Sequence, residues 1–402
     1  MDLRTGAAYW PLKSGLISVY PALDRDEMCD VAVLGAGITG ALAASRLAAA
    51  GCDVVVLDGN DVAMGSTAGS TGLLQYETDT PLGQLISYIG AEQAVLSWKA
   101  GLRAVDEIEQ LCGSCCDFKR RPSLYLASRR DARKLRREYD LRASHGFDVT
   151  WLEREEIARR YGFERDGAIL SGGDAEVDPY QLTHRALAGA TERGTRVYDR
   201  THVDRIRPMA NGIRLETNRG ATVKARRLVI AAGYEVARHL KRDRGHLHST
   251  WAMVSEPLRE FSWWPDQCLI WETRRPYLYL RTTADGRVIA GGEDEPWSSA
   301  HESIGLMKKK VVRLTRKFRA LFPAVEIEPA YAWAGIFGTT PDGLPYIGTL
   351  PAYPHTYFAL GYGGNGITFG MIAADLIRDW WARKPGGEQA LFTFDRLVGL
   401  RR

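Results

Sequence analysis

A glycine-rich turn near the N-terminus constrains the fold of this chain more than any other feature. Gly35-Ala-Gly37-Ile-Thr-Gly40 follows a predicted buried strand, Asp30–Leu34, and opens a predicted alanine-rich helix, Ile38–Ala50. In this context Gly35 permits the tight turn, Gly37 lets the backbone approach a pyrophosphate, and Gly40 lets helix and strand pack closely. The helix N-terminus also attracts phosphate charge. The pattern therefore predicts Rossmann-type dinucleotide binding.

The next predicted strand completes the nucleotide-binding unit. Asp53–Asp58 reads as a second buried strand, so the three elements form a βαβ unit. Asp58 ends this strand about twenty residues after the glycines, where a carboxylate can accept hydrogen bonds from a ribose. The motif alone fits NAD as well as FAD. An NAD-dependent dehydrogenase that uses only this unit is therefore one alternative.

Two further glycine-rich segments favour a longer ligand. The segment Met64–Leu74 is dense in small and hydroxyl residues, which permit a ligand to lie along the backbone. Near the C-terminus, Gly361-Tyr-Gly-Gly-Asn-Gly366 leads into the predicted helix Ile367–Trp380, whose N-terminus would stabilise the negative charge of a reduced flavin. Two anion-binding turns so far apart in sequence suggest one long ligand. FAD has the required length.

Composition limits the remaining possibilities. With 402 residues and 45% hydrophobic content, the chain is expected to form two domains. The 53 basic and 49 acidic residues are interspersed, so no nucleic acid partner is expected. The basic runs 129–130, 136–137 and 308–310 lie on predicted amphipathic helices, where they are expected to be solvated.

The sequence shows no clear targeting signal, membrane span, disulfide framework or cysteine metal site. The N-terminus has no apolar core of signal-peptide length, and no stretch is long enough to span a bilayer, so we predict a cytoplasmic protein without a membrane span. The six cysteines are too few for a disulfide framework. Cys112-Gly-Ser-Cys115 has no second cysteine or histidine pair that would complete a metal site, so no metal is predicted.

Later segments read as mainly β structure with helices. A meander is predicted from Val197–Ile206, Ile213–Thr217 and Val223–Ala232, and a second β-rich stretch covers residues 250–292. A helix with a basic outer face is predicted over Ile304–Phe322. This arrangement departs from the repeated βαβ series of a plain NAD dehydrogenase.

On these motifs the chain resembles the D-amino-acid oxidase, glycine oxidase and sarcosine oxidase superfamily of FAD-dependent oxidoreductases. The resemblance covers nearly the whole chain. Beyond the opening unit and Gly65–Leu74 it rests on the strand that ends Val229-Ile-Ala-Ala-Gly233, on Thr339-Thr-Pro-Asp-Gly-Leu-Pro-Tyr-Ile-Gly348 and on Gly361–Gly366. It implies an α/β fold with an interrupted Rossmann-type FAD-binding domain and an inserted α+β substrate domain built on a mainly antiparallel sheet.

The expected division assigns residues 1–80, 165–240 and 331–402 to the FAD-binding domain, and residues 81–164 and 241–330 to the substrate domain. Motifs and resemblance together predict a set of cofactor-binding residues. These are Gly35, Gly37, Ile38, Thr39, Gly40, Asp58, Gly65, Ser66, Thr67, Ser70, Thr71, Gly72, Leu73, Leu74, Val203, Ala232, Gly233, Gly335, Gly363, Gly364, Asn365, Gly366 and Ile367.

The resemblance implies oxidation of the C–N bond of a small amine or amino-acid-like substrate by hydride transfer to flavin N5, giving an imine that hydrolyses. The second alternative is a non-catalytic protein that keeps FAD as a structural element of an assembly. The sequence assigns no catalytic residue, substrate identity, electron acceptor or oligomeric state.

Two departures from the family pattern matter. Phe337-Gly338 stands where glycine and D-amino-acid oxidases carry an Arg-Pro pair whose arginine binds the substrate carboxylate, and Arg281 is the candidate replacement. Gly335 stands where sarcosine oxidases carry a flavin-linking cysteine, so we expect FAD to be bound non-covalently. The further pocket candidates are Tyr277, Tyr279, Gln75, Tyr76, Glu77 and Phe337.

Overall fold

The computed structural model describes residues 4–128, 130–233, 246–298, 303–384 and 387–396. The helices are α1 (Tyr9–Ser14), α2 (Ile38–Ala49), α3 (Ser66–Gly69), α4 (Leu82–Ile89), α5 (Ala91–Cys112), α6 (Ala132–Ser144), α7 (Arg154–Tyr161), α8 (Pro179–Thr191), α9 (Ile304–Leu321) and α10 (Gly366–Trp381), with short 3₁₀ helices at Pro265–Gln267 and Gly387–Phe392.

The strands build two large sheets and one small one. They are β1 (Arg4–Gly6), β2 (Glu27–Leu34), β3 (Val54–Leu57), β4 (Leu73–Leu74), β5 (Lys119–Arg120), β6 (Ser123–Leu126), β7 (Val149–Leu152), β8 (Ala168–Ser171), β9 (Ala175–Glu176), β10 (Arg196–Tyr198), β11 (Val203–Met209), β12 (Gly212–Thr217), β13 (Thr222–Ile230), β14 (His246–Ser255), β15 (Leu269–Glu272), β16 (Leu278–Thr282), β17 (Val288–Pro296), β18 (Pro329–Thr339), β19 (Tyr346–Thr349) and β20 (Thr356–Leu360).

The eight-stranded sheet has a parallel centre. Strands β10, β3, β2, β13 and β20 pair in parallel in that order. The β11–β12 ribbon continues antiparallel from the first half of β13, and β19 runs antiparallel along β20. Helix α2, which follows β2, packs against α8 and α10. This is the doubly covered parallel sheet that the opening motif predicts.

Strand β2 shows why the opening segment is apolar throughout. Val31 and Val33 pack in one core with α2 and α10. Ala32 and Leu34 pack in a second core with the β11–β12 ribbon. Because successive side chains point to opposite faces and both faces are covered, every position from 31 to 34 is buried.

The nine-stranded sheet is mainly antiparallel. Its order is β1, β18, β14, β17, β16, β15, β6, β8 and β7, and the β15–β6 pair is parallel. Helix α9 packs on β14, β17 and β18, where Leu314 and Phe318 join Trp251 and Met253 in a core. A parallel α/β sheet joined to this second sheet confirms the predicted fold class.

Strand pairing bears on the predicted domain division. Strands β8 and β18 both pair in the nine-stranded sheet, although residues from 165 and from 331 onward were assigned to the nucleotide-binding domain. If strand pairing alone defined the domains, β8 and β18 would belong to the substrate domain, and the boundaries at residues 165 and 331 would shift. The domain division itself stays a prediction.

Two local expectations are wrong. The predicted strand Val197–Ile206 is two strands, β10 and β11, because the chain turns at Arg200, which has a φ of 46°.

Lys310 is not on a solvated helix face: it is buried, its Nζ donates to the Glu293 carbonyl at 2.9 Å, and it pairs with Glu295. Arg129 lies outside the described residues.

Within the described ranges, no helix is both long and apolar enough to cross a membrane. The same part of the chain contains no group of three or more histidine, cysteine or acidic side chains placed to hold a metal ion.

The turn between β2 and α2 depends on close backbone contact. A Cβ built at Gly40 would lie 1.8 Å from the Gly35 carbonyl oxygen, which no real side chain can tolerate. Gly35 itself has a φ of 108°, a conformation that side chains disfavour. The glycines therefore set the distance between helix and strand.

We predict that Gly40→Ala lowers the free energy of unfolding by about 1–3 kcal/mol or more, because the new methyl group displaces α2 from the turn. Gly189→Ala is the matched control, since a Cβ at this position in α8 meets its nearest atom at an ordinary 3.6 Å. Denaturant unfolding of both variants measures the difference. Equal stability of the two variants would contradict the packing argument.

Candidate active site

A single long cavity of about 1060 Å³ separates the two large sheets. One end is formed by the β2–α2 turn and the ends of β3 and β13, and the other by β14, β16, β17 and β18 of the nine-stranded sheet. The segment 64–73 and the turn before α10 form the walls between these ends. The three glycine-rich segments found in the sequence thus border one continuous space.

At the β2–α2 end, side chains hold the turn in shape. Asp58 accepts hydrogen bonds from the Ala36 amide at 2.7 Å and the Asn60 amide at 2.8 Å. The Thr67 hydroxyl oxygen accepts from the Ile38 amide at 3.0 Å. First-turn amides of a helix have no intrahelical partners, so the start of α2 presents donors at this end of the cavity.

The carbonyls of the loop after α3 accept hydrogen bonds from buried side chains. Trp333 Nε1 donates to the Gly69 carbonyl at 2.8 Å, and Trp10 Nε1 donates to the Ser70 carbonyl at 2.6 Å. Arg281 donates to the carbonyls of Thr71 and Gly72 at 3.2 and 2.7 Å. These bonds fix the path of the loop along the cavity wall.

This position differs from the one expected for Arg281. Its side chain is fully buried and lies outside the cavity lining; Nη1 also donates to the Val177 carbonyl at 2.9 Å, and Nε lies 3.5 Å from Glu176. Burial lowers the pKa of the guanidinium, and Glu176 opposes that shift. Nη1 bonds three carbonyls and Nε donates to the Thr282 carbonyl at 2.8 Å, so the guanidinium is held by the backbone behind the loop.

Most of the predicted cofactor-binding residues line the cavity. Gly40, Gly72 and Leu74 do not. Gly40 lies in the helix–strand contact, the Gly72 carbonyl faces Arg281, and Leu74 is fully buried in β4. These three positions support the wall from behind, and the assignment of the others to the cofactor stays a prediction.

The turn before α10 is tied to the loop after β4. Asn365 Nδ2 donates to the carbonyls of Gln75 and Glu77, both at 2.9 Å, and the Thr368 hydroxyl donates to the Gln75 carbonyl at 3.2 Å. Gly363–Ile367 line the cavity, so the N-terminus of this helix reaches its wall.

The end formed by the nine-stranded sheet has aromatic walls. Tyr277, Tyr279 and Phe337, all predicted pocket residues, line it together with Trp271. The Tyr277 and Tyr279 rings lie 5.6 Å apart, and Phe337 stacks on His248 at 5.5 Å. A Cβ at Gly291, the partner of Tyr279 across the strands, would lie 2.2 Å from the tyrosine ring. The glycine therefore lets that ring lie flat over β17.

Two carboxylates that the sequence analysis missed also line this end, Asp79 and Asp294. The Tyr277 hydroxyl donates to Asp79 at 3.3 Å, and Arg275 lies 3.7 Å from the same oxygen. Burial raises the pKa of Asp294 to about 6; the Thr250 hydroxyl lowers it, Asp79 raises it, and Arg275 and Lys317 lower it. Asp294 is still mainly ionised at neutral pH.

Sequence signals for these two residues existed. Asp79 follows the predicted residue Glu77 by two positions in the same loop, and Asp294 lies in the unusual acidic run Glu293-Asp-Glu295 within β17. Acidic residues are rare in strand interiors.

Of the other predicted pocket residues, Gln75 and Glu77 line the cavity, while Tyr76 lies in the core stacked on Phe147. The Glu77 carboxylate is buried, pairs with Arg142 and accepts from the Ser171 hydroxyl at 2.8 Å. Burial and the neighbouring Glu77 raise the pKa of Asp174 well above its usual range. This buried network of charged side chains lies behind the part of the cavity wall that Gln75 and Glu77 form.

We predict that Arg281→Ala destabilises the fold by about 3–5 kcal/mol, because it removes a buried charge and leaves Glu176 and three carbonyls short of a partner. Arg274→Ala, at an exposed position before β16, is the control and should change stability by no more than about 0.5 kcal/mol. Thermal and denaturant unfolding measure both. A stable Arg281→Ala protein that loses only affinity for carboxylated ligands would restore the original hypothesis.

The cavity fits FAD. It is continuous from the first glycine turn to the last, and glycine backbone at Gly35, Gly37 and Gly363–Gly366 forms part of its surface. Its described lining contains no cysteine, and Gly335 is part of it. Non-covalent binding stays a prediction.

Comparison with known proteins agrees with this geometry. The DAO family model, described as FAD dependent oxidoreductase, matches residues 30–380. Glycine oxidase of Bacillus licheniformis is 28% identical over 371 residues, which cover 89% of this chain and 94% of that protein. Gamma-glutamylputrescine oxidoreductase of Escherichia coli K12 is 25% identical over 390 residues, covering 93% and 88%.

The crystal structure of glycine oxidase from Geobacillus kaustophilus has a similar fold, with a TM-score of 0.78 at 24% identity over 93% of this chain and all of that one. The family match confirms the resemblance found in the sequence and the FAD cofactor, and it removes the alternatives of an NAD-dependent dehydrogenase and a non-catalytic protein. The chain belongs to the DAO family of FAD-dependent oxidoreductases.

Proposed function

We propose that this enzyme oxidises the C–N bond of a small amine and that the product imine is hydrolysed by water. The observation that carries the proposal is the acidic and aromatic end of the cavity, where Asp79 and Asp294 lie among Tyr277, Tyr279 and Trp271. Carboxylates and aromatic faces favour a cationic or amine ligand and disfavour a second carboxylate.

The positions of the arginines support the same choice. Phe337 occupies the place of the family's carboxylate-binding arginine, and Arg281 is held in the loop contacts described above. Arg4 does line the cavity, and its Nε donates to the Met64 carbonyl at 3.0 Å. A free amino acid bound at this end would place its carboxylate near Asp294 and near Asp79, which Arg275 faces at 3.7 Å, unless it reached Arg4 or Arg200 elsewhere in the lining.

The residues of this chain position the substrate and exclude water, while bound FAD supplies the group that accepts the hydride. A neutral amine uses its nitrogen lone pair to expel hydride from the neighbouring carbon, so no general base is required for that step. The relative from Escherichia coli K12 is named for the amine γ-glutamylputrescine, and the relative from Bacillus licheniformis is named for the amino acid glycine.

We further propose that FAD binds along the cavity with its ribose at Asp58. Replacement Asp58→Ala should weaken FAD binding about ten- to a hundredfold, because a charged hydrogen bond contributes roughly 1.5–3 kcal/mol. Asp58→Asn is the matched variant, since it retains an oxygen for the Ala36 amide while it removes the charge and the second acceptor, which the Asn60 amide uses. Flavin fluorescence on titration with FAD measures both affinities. Unchanged affinity in Asp58→Ala would show that the acid only closes the turn.

The proposed function is tested by anaerobic mixing of the FAD-loaded enzyme with amines, N-methyl amino acids, D-amino acids and hydroxy acids while flavin absorbance is followed. We expect amines to bleach the flavin fastest and hydroxy acids not at all. Carboxylated substrates bleaching faster than every amine would contradict the proposal and direct attention to Arg4. Failure of every amine to bleach the flavin would overturn it.

A further inference from the structure

The acidic run on β17 is divided between two sides of the sheet. Lys317 Nζ lies 2.6 Å from the Glu293 carboxylate, and Lys310 pairs with Glu295. Both lysines belong to α9, which covers the outer face of this sheet region. Asp294, between these two glutamates, lines the cavity instead. The helix thus neutralises its neighbours, whereas the charge of Asp294 is directed toward the ligand space.

A β-bulge produces this arrangement. Strand β14 pairs Ser249 with Glu295 and Trp251 with Gly292, so two residues of β17 lie opposite Thr250 alone. Glu293 takes up the irregularity with a φ of 62°. Bulges re-aim side chains beside active sites at a cost in regular pairing. Here the bulge changes the direction of the strand just before Asp294.

One oxygen of Asp294 has no partner. Its Oδ1 atom is buried and makes no hydrogen bond with any residue that the structure describes. Buried polar atoms in folded proteins are normally satisfied, so an unpaired carboxylate oxygen in a cavity wall marks a position for a ligand donor. The Tyr277 and Tyr279 rings and the Asp79 carboxylate line the same end. An ammonium group matches this combination of carboxylate oxygens and aromatic faces.

The reacting nitrogen is poorly suited to this position. Hydride loss requires a neutral amine, and a carboxylate close to that nitrogen would stabilise its protonated form. Asp294 therefore suits a nitrogen that keeps its charge throughout the reaction. Asp79 is at the same end of the cavity but lies against the turn before α10: its Oδ2 would be 2.9 Å from a Cβ at Gly364.

We propose that the substrate is a diamine or polyamine, and that its second, charged nitrogen binds Asp294 at the aromatic end of the cavity. This inference rests on the proposed amine oxidation, and it adds the substrate class and the residue that selects it. The ammonium donates to the Asp294 carboxylate, and the tyrosine rings exclude water from the pair.

The test compares α,ω-diaminoalkanes with n-alkylamines and ω-amino acids of the same chain length. Binding to the FAD-loaded enzyme is measured by calorimetry and by the change in flavin absorbance, and anaerobic bleaching is measured separately. We expect the best diamine to bind at least tenfold more tightly than the matched monoamine, and the ω-amino acid to bind more weakly than both.

Asp294→Asn keeps the shape of the side chain and removes its charge. We expect this variant to lose the diamine preference, so that diamines bind it no more tightly than monoamines of the same chain length. Its thermal unfolding midpoint should stay equal or rise, because the substitution removes the charge of a partly buried carboxylate whose Oδ1 makes no hydrogen bond. Glu326→Gln removes one exposed charge outside the cavity and should retain the full preference.

Equal affinity of wild type for diamines and monoamines, or a diamine preference that survives Asp294→Asn, would overturn the inference even if monoamines bleach the flavin. Conversely, Asp294-dependent diamine binding without bleaching by any amine would uphold the inference on binding and reject the proposed oxidation. A preference for ω-amino acids would reject the assignment of a cation to this end.

Discussion

The buried guanidinium of Arg281 connects the two halves of this molecule. It extends from β16 of the nine-stranded sheet to the carbonyls of Thr71, Gly72 and Val177, which belong to the segments beside the other sheet. Isolated burial of a charge is costly, and here hydrogen bonds and the neighbouring Glu176 offset that cost. The cavity keeps its shape because this contact, together with the hydrogen bonds from Trp333 and Trp10 to the Gly69 and Ser70 carbonyls, holds the loop of the cavity wall against the nine-stranded sheet.

This contact also explains how the cavity acquires its electrostatic character. Because Arg281 is engaged with the backbone, it does not neutralise the carboxylates on the facing strands. Helix α9 supplies cations to Glu293 and Glu295 from outside, and the bulge at Glu293 separates Asp294 from them. The negative charge at the aromatic end of the cavity is therefore a consequence of the position of the bulge in β17 and of the sheet face that α9 covers.

Short-range features of the fold were predictable from the sequence. The strand, glycine turn and helix at residues 30–50 follow from local hydrophobic pattern and backbone sterics, and the structure places them within one or two residues of the predicted bounds at most ends. The sequence also indicated Tyr277, Tyr279 and Arg281 as pocket candidates, and the two tyrosines line the cavity. The sequence did not show that Arg281 lies beneath a loop 210 residues away in sequence, because that contact depends on how two distant segments pack. Asp294 was not identified for the same reason. The bulge that turns it toward the cavity depends on how β17 pairs with β14, a strand distant in sequence.

The position of Asp294 has a cost that the fold alone does not justify. Raising its pKa from 3.8 to about 6 corresponds to roughly 3 kcal/mol of unfavourable ionisation in the folded protein at neutral pH. Because the folded pKa lies above the unfolded value, this destabilisation is absent at low pH, grows as pH rises through the interval between the two values, and is complete above the folded value. A neutral side chain of the same shape would avoid it. A cation bound beside Asp294 would lower its pKa again and recover much of that energy as binding affinity. The carboxylate is thus better explained by a ligand than by the stability of the sheet that carries it.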